Sequence, residues 1–345
     1  MPPQPDAHTL IVGQGLAGSF LALALTERGQ RVRVADPGHQ RAASGVAAGL
    51  INPITGQRLN RAGDLETQLP AARERLQSVA RLLGRAVHRD TPILRHLVGD
   101  RPQSAWPRRQ QDPAYDAYLA PGPEADTVWI HGGAVVDTEA LLAGVRAWLI
   151  DQGALLAEAV EPATVAVDAT GVRWGGRRFE QVVFCVGAGA GTDPWFPDLP
   201  LRPIKGQVLE GTAADLPDHP IHRRKTLVPL GGERFRVGAT YDREEHDAEP
   251  SAAARQLLAE ALEGLLPEPD RATITRHLAG VRPGSPDGLP LLGRHPAQPR
   301  VAVFNGLGSK GLLHGPYFAE GLAAALTGGG PVPAEAAWDR FGAGA

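Results

Sequence analysis

Near the start of the chain, Gly13-Gln14-Gly15-Leu16-Ala17-Gly18 has the spacing of a loop that can hold a pyrophosphate. Glycines let backbone N–H groups approach phosphate oxygens without a Cβ in the way. A helix N-terminus behind the loop adds unpaired donors and partial positive charge. Gly13 would make the tight turn, Gly15 the close approach, and Gly18 the packing of helix on strand. Asp36 stands 18 residues after Gly18, where a carboxylate can accept hydrogen bonds from a ribose. A lone glycine pattern often marks only a turn, so its meaning depends on its flanks. By itself the pattern does not separate FAD from NAD.

Other reactive side chains are sparse. Cys185 is the one cysteine, so no intramolecular disulfide can form. It lies in the apolar run Gln181–Val186, where burial raises a thiol pKa, and an inert thiol is expected. The His residues are dispersed, cysteine ligands are lacking, and no metal site is expected.

The flanks of the glycine loop carry the argument further. His8–Val12 is an apolar run suited to a buried parallel strand, and an apolar helical stretch follows the loop as far as Leu25. Arg31–Ala35 alternates like a strand and delivers Asp36. Strand, loop, helix, strand and acid therefore occur in order, which is a βαβ nucleotide site. Farther on, 64–84 and 138–151 have apolar residues at helical spacing. Segments 155–160, 164–167, 172–174, 181–186 and 301–304 read as strands, and 312–326 as a helix ending at Gly328-Gly329-Gly330. Two polar, proline-rich regions interrupt this alternation. The expected architecture is α/β: a discontinuous Rossmann-type domain from 1–60, 137–200 and 288–345, with a second, mainly antiparallel-sheet domain from 61–136 and 201–287.

The formal net charge is −3 and 43% of residues are hydrophobic. A globular chain without a polyanionic partner is expected, so neither nucleic acid nor membrane is. No apolar run is long enough to span a bilayer, and no leader pattern is seen, so a cytoplasmic setting is expected.

Five further segments resemble the family of FAD-dependent oxidoreductases that includes D-amino-acid oxidase, glycine oxidase and sarcosine oxidase. HQRAASGVAAGLINPITGQRL (39–59) resembles its second FAD loop, and LRPIKGQVL (201–209) its strand with Pro-x-x-Gly-Gln. VGATY (237–241) is similar to a substrate-facing segment of glycine oxidase. LAGVRPGSPDGLPLLGRHP (278–296) looks like the Gly-x-Arg-Pro block, and FNGLGSKGLLHG (304–315) like the glycine segment that wraps the flavin. With the glycine loop they run from residue 9 to 326 in family order.

The resemblance implies a non-covalent FAD. It places the diphosphate on Gly13, Gly15, Leu16, Ala17 and Gly18, and the ribose on Asp36. Further contacts fall on Ala43, Ser44, Ala47, Ala48, Gly49 and Leu50, with Val160 beside adenine and Gly187 and Ala188 beside the ribityl chain. Gly308, Ser309, Lys310, Gly311 and Leu312 would line the flavin ring and donate N–H groups to its N1/C2 edge. Arg282 would anchor a substrate carboxylate through paired donors, next to the cofactor, with Tyr241 and Leu50 facing the substrate. The segment just before Pro286-Asp287, where sarcosine oxidase links its flavin, holds no cysteine.

The implied reaction is oxidation of a small amine or amino acid. A hydride passes from the α-carbon to flavin N5, and water hydrolyses the imine; no side-chain base is required. Lys310 would assist oxygen reactivity or hold the reduced flavin. Two departures stand out: Gly189-Ala190-Gly191 lacks the aromatic residue of many relatives, and Ser309 replaces a basic residue of glycine oxidase. Alternative readings are a tRNA-modifying oxidase acting on a carboxymethylaminomethyl base and a non-catalytic flavin-binding protein. The substrate, the electron acceptor (O2 or another) and the oligomeric state stay open.

Overall fold

A computed structural model describes residues 6–38 and 42–342, so His39, Gln40 and Arg41 of the second loop lie outside the described residues. The chain divides into two compact units. The first comprises Met1–Gly45, Glu139–Ile204 and Val281–Ala345; the second comprises Val46–Thr138 and Lys205–Gly280. Residues 46–60, which the sequence reading groups with the nucleotide-binding part, cluster here with the second unit. Leu50–Ile51 pairs with Ala134–Val136 in a small sheet of that unit.

The first unit is built on parallel strands. Leu155–Leu156, Val32–Ala35, Ala7–Val12 and Arg177–Phe184 lie side by side, and Val301–Asn305 extends the parallel set. Ala166–Asp168, Gly171–Trp174 and Leu291–Arg294 add antiparallel edges. At the centre of the sheet residues 10–12, 182–184 and 301–304 are apolar and buried, because both faces are covered there. Helix Leu16–Glu27 is buried from Leu16 to Leu25 and packs on helix Gly311–Leu326. Close approach of these helices needs Gly315, where a Cβ would stand 2.8 Å from Phe20 Cδ2.

Helices fall where the periodicity predicts, at Leu65–Leu83, Thr138–Asp151 and Gly311–Leu326. The expected strand over 155–160 is shorter, Leu155–Leu156, because Pro162 opens a short 3-10 turn soon after. The strand expected over 181–186 begins earlier, at Arg177, and pairs with Gly171–Trp174 across a Gly175-Gly176 turn. In that turn both glycines have φ above +50°.

The second unit carries an eight-stranded sheet. Its order is Thr273–Gly284, Arg202–Thr212, Arg234–Gly238, Lys225–Gly231, Ile221–Arg223, Ile93–His96, Thr127–Ile130 and Leu119–Pro121. From Arg202–Thr212 to Leu119–Pro121 along this order, pairing is antiparallel except between Ile221–Arg223 and Ile93–His96.

Candidate active site

The glycine loop has the geometry that its residue types suggest. Gly13 turns with φ +97°, and a Cβ there would lie 2.6 Å from the Cys185 carbonyl oxygen. A Cβ on Gly18 would stand 1.9 Å from Gly13 O, so only glycine allows the helix this close to the loop. Helix Leu16–Glu27 begins at Gly15 without a side-chain cap. First-turn amides have no intrahelical acceptor. Leu16 N donates to Ser44 Oγ at 3.1 Å, while Ser19 N already bonds Gly15 O. Ala17 and Gly18 therefore offer the N–H groups suited to a diphosphate. The cradle fits FAD: three glycines whose Cβ positions are crowded by backbone or by Ser44, below an uncapped helix.

Ser44, on the short helix Ala43–Val46, is thus brought to the loop. Asp36 is brought there too, but in company the sequence reading missed. Its carboxylate accepts Gln14 N and Gly38 N, both at 2.8 Å, and Arg146 Nη1 at 2.9 Å. Arg146 also reaches Gln14 Oε1 at 3.1 Å and Asp36 O at 3.0 Å. Asp36 is 7% exposed, and about one of its roughly four acceptor positions is left for a ribose hydroxyl. Periodicity identified the helix that carries Arg146 but not which neighbouring group its polar edge would meet.

Cys185 is buried, and desolvation pushes its thiol pKa well up. Beyond it, Gly187 turns with φ +62° and its carbonyl accepts Asn305 Nδ2 at 2.9 Å. Asn305 Oδ1 in turn accepts Gly306 N at 2.8 Å. Asn305 therefore ties the turn that contains Gly187 and Ala188 to the C-terminal glycine segment. Val160 packs against the sheet's apolar core.

Within the first unit the Arg282 segment meets that C-terminal turn. Gly308 N donates to Pro283 O at 2.9 Å, and a Cβ on Gly308 would lie 3.8 Å from Gly284 Cα. Arg282 is half-buried at the end of strand Thr273–Gly284. Lys310 precedes helix Gly311–Leu326, and its own N–H is taken by Leu307 O. Gly308 and Lys310 have their amides engaged within the chain, which leaves the amides of Ser309, Gly311 and Leu312 in this turn. Burial lowers the Lys310 pKa, with Asp287 pulling the other way. Asp287 is held by Arg340 at 2.7 Å. One turn into the helix, His314 is fully buried; desolvation, with help from Lys310, lowers its pKa to about 3.

The remaining expected residues lie in the second unit. Gly49 has φ +71°, and a Cβ there would meet Val136 O at 2.1 Å. Ala47 O accepts Arg236 Nη1; Ala48 and Leu50 are half-buried. Tyr241 is 58% exposed, with the Arg243 guanidinium 5.6 Å from its ring centre. The Pro-x-x-Gly-Gln segment has a structural reason in this unit. Buried Lys205 ion-pairs with Glu245 at 2.6 Å and Asp247 at 2.7 Å. The hydrogen bond it donates to Asp247, then that to Glu245, raises its pKa. Gln207 accepts Ser251 N at 2.8 Å and donates to Ser251 Oγ at 3.1 Å. Together they hold down 242–251, the stretch that follows Tyr241. As for metals, His96, Glu124 and Asp126 bring ligand atoms within 4.8 Å of one another, but both carboxylates are exposed.

A parallel sheet with a glycine loop, an uncapped helix and an acid at its C-terminal edge defines a dinucleotide-binding α/β protein. The family described as DAO, FAD dependent oxidoreductase, matches residues 8–325, and the chain belongs to it. It is accordingly an FAD-dependent oxidoreductase, similar to glycine oxidase. The glycine oxidase of Pseudomonas putida is 27% identical over 350 residues, covering 94% of this chain and 96% of that protein. The tRNA 5-methylaminomethyl-2-thiouridine biosynthesis bifunctional protein of Paracidovorax citrulli is 30% identical over 384 residues. That alignment covers 95% of this chain, which spans 59% of the bifunctional relative. The crystal structure of glycine oxidase from Geobacillus kaustophilus shares the fold, with TM-score 0.79 and 22% identity over 94% of this chain and 95% of that one. Among the described residues no helix is long and apolar enough to cross a membrane.

Proposed function

We propose that this enzyme oxidises the C–N bond of a small amine that carries a carboxylate. The observation that carries the reading is the junction of the Arg282 segment with the Gly308 turn, through Gly308 N to Pro283 O at 2.9 Å. It sets a planar pair of donors in the chain segment bonded to the turn assigned to the flavin. Arg282 would bind the carboxylate through two parallel charge-assisted bonds, fixing the substrate's orientation. Gly13, Gly15 and the amides of Ala17 and Gly18 would hold the FAD diphosphate, and Asp36 one ribose hydroxyl. Ser309, Gly311 and Leu312 would offer N–H groups, and Lys310 a positive charge, to the flavin's carbonyl edge. Bound FAD would supply the two-electron acceptor. In this reading the first unit is the FAD-binding domain.

Anaerobic mixing of the holoenzyme with a panel of amines and amino acids tests this. Bleaching of the visible flavin bands by N-substituted or primary amino acids, and not by their amides, is the expected result. A flavin that no carboxylate-bearing amine reduces would sink the proposal. The bifunctional relatives favour a second reading, a carboxymethylaminomethyl base in tRNA. Reduction by such a tRNA but by no small amine would select it.

A further inference from the structure

The large sheet of the second unit has two unlike faces. On one, Leu209, Val237, Leu227 and Ile221 follow one another in register across the strands. They cluster with Leu258 and Leu262 of helix Ala252–Leu262. On the other, Val208, Gly238, Thr226, His222, Arg95 and Val128 form a row. Val228, Arg236 and Glu210 form the next row on that face. Charges on a sheet face normally sit in water, yet Arg95 and Arg236 are each 4% exposed. The chain that supplies their backbone acceptors is 47–56: Ala47 O for Arg236 and Gly56 O, at 2.7 Å, for Arg95.

The two guanidiniums are balanced differently. Arg236 is paired with Glu210, which also holds Arg276 at 3.1 Å. Arg95 has no carboxylate partner among the described residues; Gly56 O is its one acceptor, and its Nε is buried without a partner. Burial lowers its pKa to about 10, with no acidic neighbour to hold it up. Its surroundings add no negative charge. His222, hydrogen-bonded to Thr226 Oγ1 at 2.9 Å, has its pKa lowered to about 3 by burial and then by Arg95, His96 and Lys225. A buried cation with one acceptor for five N–H donors is a poor structural element, because an apolar side chain would fill the space without desolvating a charge.

We propose that Arg95 is an oxyanion site of the second unit, which takes a carboxylate of the enzyme's ligand in a charge-assisted pair. A carboxylate matches the planar donor set, and the neutral His222 and the Thr226 hydroxyl stand in the same row as further hydrogen-bonding groups. That Arg95 binds a carboxylate does not rest on the function proposed above, which gives the amine's carboxylate to Arg282.

The test is thermal unfolding of the holoenzyme in acetate, in inorganic phosphate and in chloride at matched ionic strength. Wild type, Arg95→Met, Arg95→Lys and, as a control for the other anchor, Arg282→Lys are compared. Acetate is expected to raise the midpoint of wild type and of Arg282→Lys above the chloride value. Arg95→Met should lose the rise that survives in Arg282→Lys, and Arg95→Lys should need about 30-fold more acetate. In chloride, Arg95→Met should melt at or above wild type, since an uncompensated buried charge is gone. A lower midpoint for Arg95→Met in chloride, with no anion-specific rise in wild type, would make Arg95 a clamp on Gly56 and overturn the proposal. So would an acetate effect that persists without Arg95, or a response to phosphate alone. No turnover enters the measurement, so a wrong amine assignment leaves its outcome intact.

Discussion

Asp36→Ala removes three hydrogen bonds at once, those from Gln14 N, Gly38 N and Arg146 Nη1. The Gln14 amide is buried, and leaving it unpaired costs about 1–3 kcal/mol. Gly38 is exposed, so water replaces the lost acceptor at little cost. Breaking a fully buried ion pair costs about 3–5 kcal/mol; because the Arg146 side chain is 19% exposed, roughly half of that is expected here. The sum is about 2.5–5.5 kcal/mol, a large share of the roughly 5–15 kcal/mol that holds a domain together. Asp36→Ala should therefore unfold much of the apoprotein, and its loss of FAD would follow from that. Asp36→Asn keeps one oxygen and should cost less. In the double variant Asp36→Ala/Arg146→Met the stranded cation is gone, so the cost should fall short of the sum of the single variants by about 1.5–2.5 kcal/mol. Urea unfolding of apoprotein, followed by tryptophan fluorescence, measures this without a contribution from cofactor binding. Additivity within about 0.5 kcal/mol would refute the coupling. With the fold accounted for, Asp36→Asn should weaken FAD binding by about tenfold, the worth of one hydrogen bond to a charged group.

Arg282→Lys should lower the efficiency of flavin reduction by about 30-fold to several thousandfold while FAD content holds, and should erase any preference for a free acid over its amide. Wild-type rates with both Arg282→Lys and Arg282→Ala would remove the anchor from this position. Acid precipitation should release all the yellow colour into the supernatant; colour left on the pellet would mean a covalent link. Stability should fall as pH drops from about 6.5 toward 3, because His222 and His314 have folded-state pKa values near 3 and the unfolded chain takes up their protons first. Each contributes about 1.4 kcal/mol per pH unit across that window. His314→Gln should thus show a visibly shallower loss between pH 6.5 and 5 in urea midpoints, and an unchanged slope would contradict the assignment. Gly18→Ala, which sets a methyl 1.9 Å from Gly13 O, should yield protein without bound flavin; normal FAD content would show that the loop can relax.

The glycine loop, Asp36 and the three long helices were legible because each rests on local rules: turn chemistry, period 3.6, an acid at a strand end. Arg146 and Asn305 were not, since their partners are 110 and 118 residues away and nothing in their own neighbourhood marks them. The sheet of the second unit was harder still. Its Lys225–Gly231 and Arg234–Gly238 hairpin has one face of Leu227, Phe235 and Val237 and another of Thr226, Val228 and Arg236. That second face is buried with charges on it, so the alternation that normally separates core from solvent misleads. Arg95 escaped notice for the same reason. The strand 202–212 drew attention through its Pro-x-x-Gly-Gln resemblance alone; the ion pairs of Lys205 give that motif its physical content.

The order in which the parallel strands pair has a consequence for biosynthesis. Strand Ala7–Val12 finds its neighbour Val32–Ala35 early but must wait for Arg177–Phe184, and that strand waits for Val301–Asn305. At about 5–20 residues per second, the first wait alone lasts roughly 10–35 s. Throughout it, an apolar strand edge and a helix buried on nearly every side in the finished protein stand uncovered beside the ribosome. The partner of that helix, Gly311–Leu326, is among the last segments made. A nascent chain stopped before residue 311 would present an apolar helix packed on its strands but lacking its partner helix, a target for chaperones and proteases. If residues 308–312 line the flavin as proposed, the cofactor site is complete only once nearly the whole polypeptide has been synthesised.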